Sequence, residues 1–261
     1  FVKNRNFNLI RLFSYMEKEG IKVCCTSGQP KSDSYVSKGT EINTLSDLKL
    51  YHTGSGNKNG LILVYDIFGF NVNQTRRFAD LLAEHSFNVV MPDFFRGKPW
   101  SLSNFPPKNN DEFMKWLNDA GSYTIVEKDL IVARDFLSKA GTTNKPGILG
   151  FCWGGKMSAY ACQTDFYRCG VSVHGAGITE HLVNDIKVPM MFLPAGDDPS
   201  LDGVENMLKS KSIGKDCVFH RFDKMKHGFA AARGDWNDEN TKESILKVIS
   251  LSVNFLNKFA K

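Results

Sequence analysis

The chain has 261 residues, 42% of them apolar and 23% charged, which suits a globular protein with a large core and excludes a disordered or collagen-like one. No run of about 18 apolar residues is present, so no membrane span is expected. An excess of five positive charges, from 33 basic and 28 acidic residues, is too small and too dispersed to mark a nucleic-acid surface. Six cysteines, at 24, 25, 152, 162, 169 and 217, are too sparse for a disulfide scaffold and lack zinc-site spacing.

Residues 1–20 read as a leader. Lys3, Arg5 and Arg11 stand among Phe1, Phe7, Leu9, Ile10, Leu12 and Phe13, and the first acid is Glu17. That composition fits either a frayed leader or the tail of a transit peptide. Free thiols point to a reducing compartment, so the expected location is cytoplasmic, or mitochondrial if the leader is a transit remnant. Residues 21–60 are rich in Gly, Ser, Thr, Asn and Lys, with turn signals at Gly28-Gln29-Pro30 and Gly54-Ser55-Gly56. A strand over 48–53 and a short antiparallel edge are expected there.

From residue 60 the texture changes. Leu61-Ile62-Leu63-Val64-Tyr65 is an unbroken apolar run, as a strand buried on both faces requires. Similar runs cover 88–91, 147–149, 170–173 and 189–194, and 217–222 reads as an outer strand. Helical spacing over 74–85, 126–139, 154–163, 201–212 and 241–259 fills the gaps. The segment 97–110, with Pro99, Pro106 and Pro107, reads as the longest loop and as a roof over a site. Strands alternating with helices through about 200 residues predict an α/β fold. It is a single domain over 21–261, with a mostly parallel central sheet and helices on both faces.

Gly150-Phe151-Cys152-Trp153-Gly154-Gly155 follows an expected strand and opens an expected helix, the nucleophile-elbow pattern with Cys in place of Ser. A one-residue turn from strand to helix strains the nucleophile's backbone and leaves no room for side chains two residues to either side. The helix N-terminus then lies under the sulfur and favours the thiolate. A thiol nucleophile needs a base, and the base needs an orienting acid. Of His174, His181, His220 and His227, the last precedes Gly228-Phe229 in a loop before the final helix and is the expected base. His174 ends a strand and is expected to line the pocket. Asp198, in Ala195-Gly196-Asp197-Asp198-Pro199, is the expected acid, with Asp197 as its alternative. Asp66 ends the first buried strand, where a carboxylate points into the crevice at the carboxyl edge of the sheet.

Together Asp66-Ile67-Phe68-Gly69, Pro92-Asp93-Phe94-Phe95-Arg96-Gly97, the Cys152 elbow, the Asp198 loop and His227-Gly228-Phe229 resemble the dienelactone hydrolase family of the α/β-hydrolase fold. Cys24-Cys25 with Gly28 and Pro30 is similar to the leader of eukaryotic members. The resemblance implies a Cys152, Asp198, His227 triad and an oxyanion hole from the backbone N–H groups of Ile67 and Trp153. The family acid that manages the thiol proton is Glu; Asp66 stands in its place. The family holds an anionic substrate with two arginines. Arg96 matches the first; at the second position stands Ala231, with Arg233 two residues further on.

The implied reaction is hydrolysis of a small lactone or activated ester through a thioester acyl-enzyme. Neither cofactor nor metal is implied, and the expected partner is a small anionic lactone or ester. Neither nucleic acid nor membrane is expected as a partner, and the expected oligomeric state is a monomer or weak homodimer. Two other classes fit the same residues: a broad short-chain carboxylesterase, and a thiol redox sensor or binding protein with Cys152 as the switch.

Overall fold

The apolar runs become the centre of one sheet in the computed structural model, which describes residues 28–260. Its strands are β1 (Thr40–Asn43), β2 (Lys49–Thr53), β3 (Asn59–Val64), β4 (Phe87–Pro92), β5 (Gly147–Phe151), β6 (Gly170–Val173), β7 (Met190–Leu193) and β8 (Val218–Phe219). They lie in the order β1-β2-β4-β3-β5-β6-β7-β8. Strands β1 and β2 pair antiparallel, as does β2 with β4, and every pairing from β4 onward is parallel. All residues of β4, β5, β6 and β7 are buried, which is why these strands read as apolar runs without alternation.

The helices are α1 (Asn73–Glu84), α2 (Asn110–Gly121), α3 (Tyr123–Lys139), α4 (Trp153–Ala161), α5 (Glu180–Val183), α6 (Asp202–Lys209) and α7 (Glu239–Lys258). α1 packs on α7, and α3 packs on α4, so the sheet is covered on both faces. Five of the helices match expected spans to within three residues at each end. The mostly parallel sheet between helical layers is therefore the architecture the sequence predicts. Among the described residues no helix is long and apolar enough to cross a membrane. The leader over 1–20 and the Cys24-Cys25 pair lie outside the described residues.

Three elements differ from expectation, the smallest being the one-turn α5, which the pattern reading also leaves out. The loop over 97–110 is followed directly by α2, a helix the pattern reading leaves out. Asn109 caps it by accepting hydrogen bonds from the N–H groups of Asp111 and Glu112, and both acids sit in its first turn. The outer strand over 217–222 pairs regularly only at Val218–Phe219, then again at a single bridge between Ala195 and Phe222. Arg221, next to that bridge, turns its guanidinium onto the carbonyls of Ala195, Asp198 and Pro199 at 2.6, 3.0 and 2.8 Å.

The chain ahead of β1 is strapped to the body. The Lys31 N–H donates to the Ala232 carbonyl at 2.8 Å, and Gln74 donates to the Lys31 carbonyl. Further along, buried Asp80 of α1 accepts hydrogen bonds from the hydroxyls of Tyr35 and Tyr51 and from the Lys38 N–H.

Candidate active site

Parallel strands deliver their carboxyl ends to one edge of the sheet. There β3 gives way to Asp66 and Ile67, β5 to Cys152, β6 to His174, and β7 to the loop holding Asp197 and Asp198. Cys152 has φ 53° and ψ −116°, a left-handed backbone that a residue with a side chain adopts only under constraint. Its N–H donates to the Val173 carbonyl, and its own carbonyl accepts from Gly155 and Ala176. A Cβ on Gly150 would lie 1.9 Å from the Gly154 carbonyl oxygen, and one on Gly154 would lie 2.3 Å from the Val64 carbonyl oxygen. The glycines thus let α4 start directly against the end of β3.

On the facing loop His227 is buried, and its Nδ1 lies 2.6 Å from a carboxylate oxygen of Asp198. The other Asp198 oxygen accepts from the Ala195 N–H at 2.7 Å, which fixes the carboxylate plane. Asp197 does something different. It accepts from the backbone N–H of His227 at 2.6 Å, so it holds the loop while Asp198 holds the ring. A ring nitrogen bonded to a carboxylate fixes the tautomer and leaves Nε2 as the proton-accepting atom.

Asp66 is buried, and its two oxygens accept from the N–H groups of Phe68, at 2.9 Å, and Ala232, at 3.3 Å. It therefore joins the end of β3 to the loop that carries His227. His174, with φ 37°, has no exposed surface. Its ring centre stands 5.0 Å from that of His227, with Phe151 and Phe229 packed beside it, so it packs edge-on against the His227 ring.

The two arginines sit in contrasting places. Arg96, with φ 52°, donates two parallel hydrogen bonds of 2.8 Å to Asp129 of α3, another of 2.9 Å to the Asp93 carbonyl, and pairs with Asp47 at 3.3 Å. Hydrogen bonding to Asp129 holds the guanidinium above its ordinary pKa. Arg233 lies on the His227 side, its guanidinium against the rings of Phe68 and Phe105 at 5.1 and 5.4 Å, with Nε donating to the Gly28 carbonyl. A cavity of about 700 Å³ opens beside His227. Lys31, Lys224, Lys226 and Arg233 line it, against Asp235 and Asp238, so its wall is cationic on balance.

Three further cysteines lie among the described residues. Burial pushes the Cys162 and Cys217 thiols up, and that of Cys169 up to about 12, where a thiolate is scarce at neutral pH. Among the described residues no group of three or more His, Cys, Asp and Glu is disposed to hold a metal ion.

Sequence reasoning misses Asp129 and Arg221. Asp129 had a signal: it stands in the buried stripe Val126, Asp129, Leu130, Ala133, Leu137 of α3, and a carboxylate there needs a cationic partner. Arg221 had none, since an arginine on an edge strand is ordinary.

With the site assembled, its relatives are informative. The sequence profile of the dienelactone hydrolase family matches residues 48–259. An uncharacterized AIM2 family protein of Schizosaccharomyces pombe is 30% identical over 232 residues, covering 84% of this chain and 92% of its own. A carboxymethylenebutenolidase homolog of Rattus norvegicus is 28% identical over 233 residues, covering 86% and 93%. Among solved structures, a dienelactone hydrolase from Anabaena variabilis superposes with a TM-score of 0.61 at 14% identity, covering 90% of this chain and all of its own. That identity speaks for a shared α/β-hydrolase fold.

Proposed function

The chain belongs to the dienelactone hydrolase family, and from that premise we propose that it is a carboxylic-ester hydrolase of small lactones and activated esters, with Cys152 as nucleophile, His227 as base and Asp198 as the acid that orients it. The observation that carries this reading is the 2.6 Å bond between His227 Nδ1 and Asp198, on the loop facing a strained strand-to-helix turn that presents a thiol. The order nucleophile, acid, histidine along the chain supports it further.

In the proposed reaction His227 takes the thiol proton, and the Cys152 sulfur attacks the substrate carbonyl carbon. The negative charge collects on the former carbonyl oxygen, where the N–H groups of Ile67 and Trp153 receive it; such donors each contribute about 3–4 kcal/mol in comparable sites. As the C–O bond breaks, the imidazolium returns its proton to the departing oxygen, leaving a thioester. His227 then deprotonates a water, whose oxygen attacks the thioester carbonyl, and the thiolate leaves. A thiolate is itself a good leaving group, so acylation goes forward only when the substrate's alkoxide departs readily. Enol lactones and aryl or enol esters meet that condition, and amides do not.

The substrate class we favour is anionic. The support is the cationic lining of the cavity beside His227, which includes Arg233 and neither Cys152 nor Arg96. In this reading Arg233 is the anion-binding arginine and Arg96 holds the roof. Asp66 acts on the thiol indirectly, through its grip on the Ala232 N–H and so on the position of His227. A panel of enol lactones, aryl esters and amides against the purified protein tests the assignment. Hydrolysis of the first two should fall by about 10⁴-fold or more in Cys152→Ala. Activity that survives that substitution to within tenfold of wild type, or a preference for amides, overturns it.

A further inference from the structure

Helix α2 ends at Gly121, and α3 begins at Tyr123, with Ser122 between them in an extended conformation. The last carbonyls of a helix have no partner within it, and a buried one must find a partner elsewhere. Gly121 is buried, and its carbonyl accepts a 2.9 Å hydrogen bond from the indole Nε1 of Trp153. The fit leaves no slack. A Cβ at position 121 would lie 2.9 Å from that nitrogen and 3.1 Å from Cε2 of the same ring.

A second, separate path joins the same two places. The Trp153 ring lies 4.7 Å from Phe95, Phe95 lies 4.9 Å from Trp116 of α2, and Trp116 lies 5.4 Å from Trp100 in the Pro-rich segment. Phe95 is itself pinned, because its N–H donates to the buried Tyr65 hydroxyl at 2.8 Å. Trp153 is the residue directly after the nucleophile. Its ring is held by Gly121 and Phe95, and in the proposed reaction its peptide N–H receives the oxyanion.

We propose that the Gly121 carbonyl and the Trp153 indole form a positioning pair for the oxyanion donor. The inference rests on the reading of the Trp153 N–H as that donor. The indole cannot rotate about its side-chain bonds without giving up the hydrogen bond to Gly121, and the ring stack blocks the alternative rotamers. The Trp153 backbone is therefore fixed from both ends, by the strained turn at Cys152 and by the roof. Helix α2 becomes part of the reaction geometry rather than a cover over it.

The test uses the full chain with 4-nitrophenyl acetate and an aryl-substituted enol lactone. It compares wild type with Trp153→Phe, with Gly121→Ala, and with a protein carrying 3-benzothienylalanine at position 153, which keeps the bicyclic ring and loses only the N–H. The expected result is a fall in kcat of about tenfold to a hundredfold for both substrates with KM within about twofold, the signature of a misplaced transition-state donor. Alkylation of Cys152 by iodoacetamide, followed by mass spectrometry, forms no oxyanion and should stay within about twofold of wild type.

An unchanged kcat in the benzothienylalanine protein overturns the proposal. So does a parallel loss of kcat and alkylation rate, which would mean that the whole turn has moved. Hydrolysis that survives Cys152→Ala is a different signature: it removes the hydrolase reading and this proposal together.

Discussion

The floor and the roof of this site are built by different means. The floor, from Gly150 to Gly155 with the loops at the ends of β3 and β7, is held by backbone. It has a left-handed φ at Cys152, carbonyl contacts that exclude a single methyl group, and loop N–H groups bonded to Asp66, Asp197 and Asp198. The roof, from Arg96 through α2, is held by side chains: Trp100, Phe113 and Trp116 packed ring against ring, Phe105 packed on Phe68, and Arg96 clamped on Asp129. Backbone geometry tolerates few residue types, so it fixes positions sharply. Ring packing tolerates many, so it fixes shape without fixing identity.

That contrast can be broken at its sharpest point by removing charge from the two neighbouring acids. Asp198→Asn should lower kcat/KM by about 10²–10⁴-fold, because the ring of His227 loses its orienting carboxylate. Asp197→Asn should cost about tenfold or less, the scale of one backbone hydrogen bond. Steady-state kinetics of the two variants decide it, and the reverse order would reassign the acid.

Next in size comes tolerance to volume. Gly154→Ala should destabilise the fold by about 3–4 kcal/mol, since its methyl meets the carbonyls of Val64 and Tyr65. Phe113→Leu, in the roof, should cost about 1–2 kcal/mol. Urea denaturation measures both, and equal costs would dissolve the distinction between backbone-built and side-chain-built regions.

Arg96→Ala comes last. It should cost about 1.5–3 kcal/mol of stability through the loss of a charge-assisted pair with buried Asp129. kcat/KM for carboxylated and neutral esters should then fall by the same factor. A loss confined to carboxylated substrates would return the anion anchor to Arg96.

The same contrast explains what could be read from the sequence. The central strands declared themselves because strands buried on both faces favour apolar residues, as in Leu61 to Val64. The elbow declared itself because strain and close approach leave glycines at fixed spacing around Cys152. Asp198 was favoured over Asp197 by spacing alone, while the division of labour between them needed the direction of each carboxylate. Helix α2 was missed although its signal was present: an Asn109 cap, acids at 111 and 112, and Phe113, Trp116, Leu117 and Ala120 at helical spacing. Three prolines and a run of polar residues just upstream masked it. The ring contact between His174 and His227 was not legible, since the two stand more than fifty residues apart in the chain.

The strap ahead of β1 has a mechanical consequence. It touches the body mainly at Ala232 and Arg233, a few residues past His227, and at Asp80. A pull on residues 28–31 is therefore shared between the loop that carries His227 and Gln74 of α1. Residues 28–31 and the His227 loop are thus tied to one another, each limiting how far the other can shift.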